Sequence, residues 1–360
     1  MRSNNSSSPD QHAAQRLFLL ILAIGWLCLA GCSKAQVQPP TKLPPLGSGI
    51  SVVETSAVQP TPVNKTDSTV QPVLTTTTAT PAAPSSSVAE QPDATPTQPL
   101  PPEADDWMSQ PIIPSVSETA RQIYQRGLAA GRNPHAFSKV GDCQSITTYF
   151  LKLFDLPGYY QLGDQAYLQE TIDWFAGSFE RESLAVKGGL NAAAMLSPLR
   201  ANPQVCQAGE SPLACELRIN NPSIAIISLE EWWADDPTKY ERYMRQIIDY
   251  TLSQEVLPIL ATKADNLEGN HLINQTIAEL AWEYNLPLWN FWLAVQPLPY
   301  HGLVQETVDG KPDLFHLTHS VNFYNYTDLG ALKAGWAMRN LTALQVLDAV
   351  RRGLNESTQP

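Results

Sequence analysis

The run Ser223-Ile-Ala-Ile-Ile-Ser-Leu229 constrains this chain more than any other stretch. A strand with one wet face alternates apolar and polar residues, and this run has almost no polar break. It therefore predicts a parallel strand covered on both faces. Four further runs are strand-like: Ala136–Val140, Ser183–Val186, Val256–Thr262 and Pro287–Trp292. Helical spacing lies between them. Tyr240, Tyr243, Met244, Ile247, Ile248, Thr251 and Leu252 fall on one stripe, and Ile273, Ile277, Leu280, Ala281 and Tyr284 on another. Ser115-Val-Ser-Glu118 reads as a capping box opening a helix that runs to Gly131. Further helices are expected over Ile146–Phe154, Tyr167–Phe175 and about Asp328–Val350. Strands alternating with helices predict an α/β fold, with about five parallel strands and helices on both sides. Sites in such sheets lie at the carboxyl ends of the strands. Cys143, Gly188, Glu230 and Thr262 fall at those ends.

The flanking sequence is of another kind. Arg16 precedes the apolar run Leu17–Leu29, which has the length of a signal-peptide core and is short for a membrane span. Residues 1–31 read as a leader. Residues 32–114 are rich in Pro, Thr, Ser, Gln and Ala and hold more than half of the chain's 30 prolines. Such a composition buries too little apolar surface to offset the entropy of ordering, so it reads as a tether. Residues 115–354 are expected to form one domain.

Charge and cysteines narrow the options. A formal net charge of −12 with 23 basic residues in no cluster argues against nucleic acid as a partner. Of five cysteines, Cys28 leaves with the leader. Cys206 and Cys215 share a loop containing Pro and Gly, and in an exported protein they are expected to bridge. Cys143 is then the thiol left over.

Phe137-Ser-Lys-Val-Gly-Asp-Cys-Gln-Ser145 reads as a strand, a tight turn and the start of a helix. A thiol at a helix N-terminus is favoured as thiolate, the nucleophilic form. A small buried residue packing the turn is the plainer alternative for Cys143. Asp313 and His316 form an Asp-x-x-His spacing in which an aspartate can fix the tautomer of a histidine base. That spacing also arises by chance, and His319 competes for the role. Ser145 falls where serines more often cap helices. Glu230 and Glu231 form a possible acid–base pair, and Asp142 joins them and Ser145 as residues expected near a substrate.

Two patterns carry family resemblances. Leu29-Ala30-Gly31-Cys32 resembles the lipobox of bacterial lipoproteins, which implies that Cys32 is lipidated and anchors the chain to a membrane. The Gly141-Asp142 turn, Gly188 or Gly189 after the second strand and the closing Asp313/His316 pair together resemble the SGNH (GDSL-like) hydrolases. That resemblance implies a flavodoxin-like three-layer α/β/α sandwich, ester hydrolysis without metal or cofactor, and oxyanion donors at Gly188 or Gly189. The chain departs from the pattern twice. Cys143 stands where the family has serine, and Ser228-Leu-Glu-Glu-Trp-Trp233 replaces the Gly-x-Asn-Asp block.

The expectation is an exported, lipid-anchored hydrolase of ester or thioester bonds in acylated glycans, lipids or small esters. Cys143, His316 and Asp313 are its expected catalytic residues. An inactive scaffold that binds a glycan or envelope component is the alternative.

Overall fold

The computed structural model describes residues 106–229, 237–305, 307–308 and 311–355. The leader, Cys32 and the tether through residue 105 lie outside the described residues, as do Glu230 and Glu231. Among the described residues, no helix is long and apolar enough to cross a membrane.

The body is organised around four parallel strands in the order β1-β2-β3-β4: β1 Asn133–Gly141, β2 Pro222–Ser228, β3 Leu257–Ala261 and β4 Leu288–Trp289. Val140 pairs with Ile227, Ile226 with Ile259, and Ala261 with Trp289. Every residue of β2 and β3 is buried, as the unbroken apolar runs require. Full burial of a side chain such as Ile224, Ile226 or Ile259 contributes about 1.5–3 kcal/mol each.

Eight α-helices accompany the sheet among the described residues. They are α1 Glu118–Ala129, α2 Gln169–Trp174, α3 Ala192–Met195, α4 Pro212–Asn220, α5 Pro237–Ser253, α6 Leu272–Glu283, α7 Phe291–Val295 and α8 Gly335–Asn355. Helix α1 packs on β2, β3 and α8, whereas α5 and α6 pack on β3 and on each other. The N-cap of α1 is Ser117, whose hydroxyl accepts from Ala120 N at 3.0 Å, two residues later than the expected capping box. A hairpin pairs Thr307–Val308 with Lys311–Pro312.

Three expected elements come out differently. Ser183–Val186 contributes a single parallel bridge, Val186 to Gly141, instead of a fifth strand. Pro287–Trp292 pairs only over Leu288–Trp289. There the Asn290 side chain accepts from Leu293 N at 3.3 Å and turns the chain into α7. Ile146–Phe154 forms turns and a 3-10 segment, not an α-helix. Its β-branched start, Ile146-Thr147-Thr148, disfavours a helix. Leu151 then adopts φ +69°, and its N–H is taken by the Asn340 side chain at 2.6 Å.

Residues 106–114, which the composition assigns to the tether, pack on the body. Trp107 is buried against Trp292, and Asn290 donates to the carbonyls of Trp107 and Gln110 at 2.8 and 2.9 Å.

The interior also holds charge. Glu216 of α4 is fully buried and accepts from Ser138 Oγ, Arg181 and Leu184 N at 2.6, 2.7 and 2.8 Å. Ser183 Oγ donates to Lys139 O at 2.6 Å. These bonds lay residues 181–186 along β1. Lys139 itself donates to Thr147 Oγ1 at 3.0 Å and Phe179 O at 2.8 Å. Burial, aided by the Arg181 charge, lowers its pKa to about 7.

Candidate active site

The site begins where β1 runs out. A Cβ on Gly141 would lie 2.2 Å from Ser145 Oγ and 2.5 Å from Ser228 O, so only glycine fits between the returning turn and β2. Asp142 follows, and its carboxylate accepts from Gln144 N at 3.0 Å, capping a 3-10 turn over Cys143–Ser145. This turn is three residues long, so the helix N-terminus expected beneath Cys143 is not there. Asp142 and Ser145 are each 1% exposed. Asp142 caps the turn, and Ser145 packs against Gly141. Glu230 and Glu231, expected beside them, lie outside the described residues.

Cys143 is 8% exposed at the crest of the turn. Its sulfur is disulfide-bonded. The expectation that Cys143 is a leftover thiol is therefore not met in this state of the chain. Cys206 and Cys215 are bridged as expected, with their sulfurs 2.09 Å apart.

The Asp-x-x-His loop comes to the same place. Gln144 Nε2 donates to Phe315 O at 2.7 Å, tying the turn to the residue before His316. Asp313 grips His316 twice: Oδ1 accepts from His316 N at 2.9 Å, and Oδ2 lies 2.8 Å from Nδ1 of the ring. Phe315 N adds a third bond to the carboxylate at 3.1 Å. An acceptor on Nδ1 fixes the tautomer and leaves Nε2 as the nitrogen that can take a proton. Asp313 is buried and the His316 side chain partly open, at 6% and 24% exposure. His319 is no rival. Its ring packs among Tyr149, Trp336 and Phe323. That shielding from water, with the charge of nearby His316 adding to it, pushes its pKa down to about 4. Such a histidine is a poor base near neutral pH.

Gly188 and Gly189 sit just past the Val186 bridge. Lys187 N donates to Gly141 O at 3.3 Å, and Leu190 N closes a turn on Lys187 O with Gly189 at φ +71°. This turn lies at the same end of β1 as Cys143. Among the described residues, Cys206, Glu210 and Cys215 are the grouping closest to a metal-ligand set, and two of the three sulfur and oxygen donors are joined by the bridge.

Sequence reasoning missed Arg339 of α8. It is wholly buried, yet its Nε donates to Gln144 O at 2.8 Å and a terminal nitrogen to Ser228 Oγ at 2.6 Å. Phe150, Trp289 and Phe291 surround the guanidinium at 5.0, 5.1 and 4.9 Å. It also missed Lys263, buried at the end of β3 and paired with Asp265 and Glu268 at 2.8 and 2.6 Å. Burial pulls the Lys263 pKa down, but the two carboxylates together hold it above the ordinary value. An arginine or lysine within a helix or loop reads as a surface residue, and no local pattern marks either as internal.

Comparison of the chain with protein-family models, curated proteins and solved structures finds no match.

Proposed function

We propose that this chain is an exported, lipid-anchored hydrolase of ester or thioester bonds, built on the plan of the SGNH hydrolases. The carrying observation is the double grip of Asp313 on His316, in a loop tied through Gln144 to the turn that bears Cys143. In this reading the Val186 bridge is the remnant of a fifth strand, and the helices cover the sheet as a three-layer sandwich. This reading requires that the disulfide held by the Cys143 sulfur be reduced before the site can work.

The chemistry follows the positions. His316 Nε2 takes the thiol proton as Cys143 sulfur attacks the acyl carbonyl, and Asp313 stabilises the imidazolium. Backbone N–H groups of Cys143 and of Gly188 or Gly189 receive the oxyanion. The proton passes to the leaving alcohol or thiol, and water activated by His316 hydrolyses the acyl-cysteine. The substrate is an acylated glycan, a lipid or a small ester.

A second reading, an inactive binding scaffold, draws on the end of β2. There the Ser228 hydroxyl is occupied by Arg339, and no amide side chain follows to donate to an oxyanion. Loss of one such donor costs about 10²–10³ in rate.

One experiment tests both. The processed protein, its Cys143→Ser variant and its His316→Ala variant are assayed on p-nitrophenyl acetate, and Cys143 alkylation by iodoacetamide is followed from pH 5 to 9. The hydrolase reading expects alkylation well below the usual thiol pKa of about 8.5. It also expects turnover by the wild type or Cys143→Ser, with both signals lost in His316→Ala. No turnover in any form, with alkylation indifferent to His316, overturns it in favour of the scaffold.

A further inference from the structure

A cavity of about 320 Å³ lies between residues 107–117, helix α6 and the edge strand β4, at the lower end of the range of small-molecule sites. Its wall is fixed without a ligand. The Asn290 side chain donates to the carbonyls of Trp107 and Gln110, and its backbone N–H donates to Ile112 O at 3.3 Å. Ser117 Oγ donates to Asn285 O at 2.6 Å. These bonds take only the main-chain carbonyls of Gln110 and Asn285. Both carboxamide side chains remain to line the cavity, together with the Ser115 hydroxyl. Trp282 of α6 adds an indole that is 41% exposed.

Covering the edge of a sheet explains why residues 107–117 pack here, but it does not call for an open indole among two carboxamides and a hydroxyl. The lining excludes most other ligands. No charged side chain contributes to it, in a chain whose residues are 16% charged. A phosphate or carboxylate would call for arginine or lysine, and a cation for a carboxylate. A wholly apolar ligand would bury the carboxamides without partners. A sugar ring meets every part of the lining. Its C–H face lies flat on an indole, and its hydroxyls pair with carboxamides, which both donate and accept. We infer that this cavity binds a neutral saccharide, with Trp282 as the stacking platform and Gln110, Asn285 and Ser115 as partners of its hydroxyls. Asn285 has a second role, since its φ of +54° just past α6 suits asparagine or glycine. Cys143, Asp313 and His316 do not line the cavity, so the inference holds whether or not the chain turns over an ester.

The test titrates the processed chain calorimetrically with chitotriose, cellotriose and maltotriose, and with trigalacturonic acid as an anionic counterpart. Saturable binding of at least one neutral trimer is expected, with trigalacturonic acid silent. Trp282→Ala, at an exposed helix position, is expected to weaken that binding about tenfold. Asn285→Gly keeps the left-handed turn, removes only the carboxamide, and weakens binding about two- to tenfold. If Trp282→Ala does not fold, Asn285→Gly and Trp282→Leu, which keeps apolar bulk without the flat ring, carry the test. No heat from any neutral trimer at millimolar concentration overturns the inference. So does binding that the Trp282 and Asn285 variants leave at wild-type strength, or tighter binding of trigalacturonic acid. Affinity that falls in His316→Ala but not in Trp282→Ala moves the sugar to the candidate active site and overturns it too. Ester turnover is read separately, so failure of the hydrolase reading leaves these outcomes untouched.

Discussion

Lys139 offers a sharp test of the interior, because its charge state sets a sign that most proteins do not show. Its folded pKa is about 7 against an ordinary 10.5. Between those values the unfolded chain binds a proton that the folded chain does not, so this group makes stability rise with pH. Integrating from pH 6 to 9, at about 1.4 kcal/mol per unit, gives about 3 kcal/mol gained over that range. The hydrogen bonds agree with a neutral amine. Thr147 Oγ1 and Phe179 O take two N–H groups, whereas an ammonium has three to place. Arg181 pushes the same way as burial, and Glu182, Glu216 and Asp155 oppose it. Lys139→Met removes the titration at similar volume. Urea unfolding of both proteins at pH 6, 7.5 and 9 gives the stability difference at each pH. Methionine is expected to fare relatively best at pH 6, with the difference shifting toward the wild type by about 3 kcal/mol at pH 9. A difference constant within about 0.5 kcal/mol across the range refutes a neutral Lys139 and makes the buried group a paired ammonium.

Two further outcomes address the ends of the chain and its sulfur. Cys32→Ala is expected to leave the protein folded but soluble after membrane fractionation; a variant that still pellets after a carbonate wash overturns the lipid anchor. Thiol alkylation of the chain under denaturing, non-reducing conditions should leave Cys206 and Cys215 unmodified, and modification of both would exclude their bridge. Cys206→Ala should cost about 2–3 kcal/mol in unfolding free energy, the chain-entropy value for a short loop.

The sheet was legible because burial on both faces leaves its mark residue by residue. The run 223–229 became β2 over Pro222–Ser228, and the run 256–262 became β3 over Leu257–Ala261. Helix α5 was legible from its stripe of period 3.6. What could not be read locally was decided at a distance. Ile146–Phe154 has enough apolar residues for a helix, but Asn340, nearly 190 positions away, takes the Leu151 N–H. The stretch after Trp289 looks like strand until the Asn290 side chain caps Leu293. The same limit applies at the site. Asp313 and His316 announced themselves by spacing, whereas Arg339 has no sequence signature, because its partners are Gln144 and Ser228 on other elements.

The Arg339 fork also has a consequence in time. Gln144 is bonded to a residue 195 positions later, and Leu151 to one 189 later. Contacts of such separation form late, because the loop between them must close first. A chain still emerging, whether from a ribosome or through a translocation channel, has β1 and its turn long before it has α8. During that interval the turn lacks both the arginine that holds the Gln144 carbonyl and the loop carbonyl of Phe315 that Gln144 donates to. The turn after β1 is thus fixed in place only when the last helix of the domain is present.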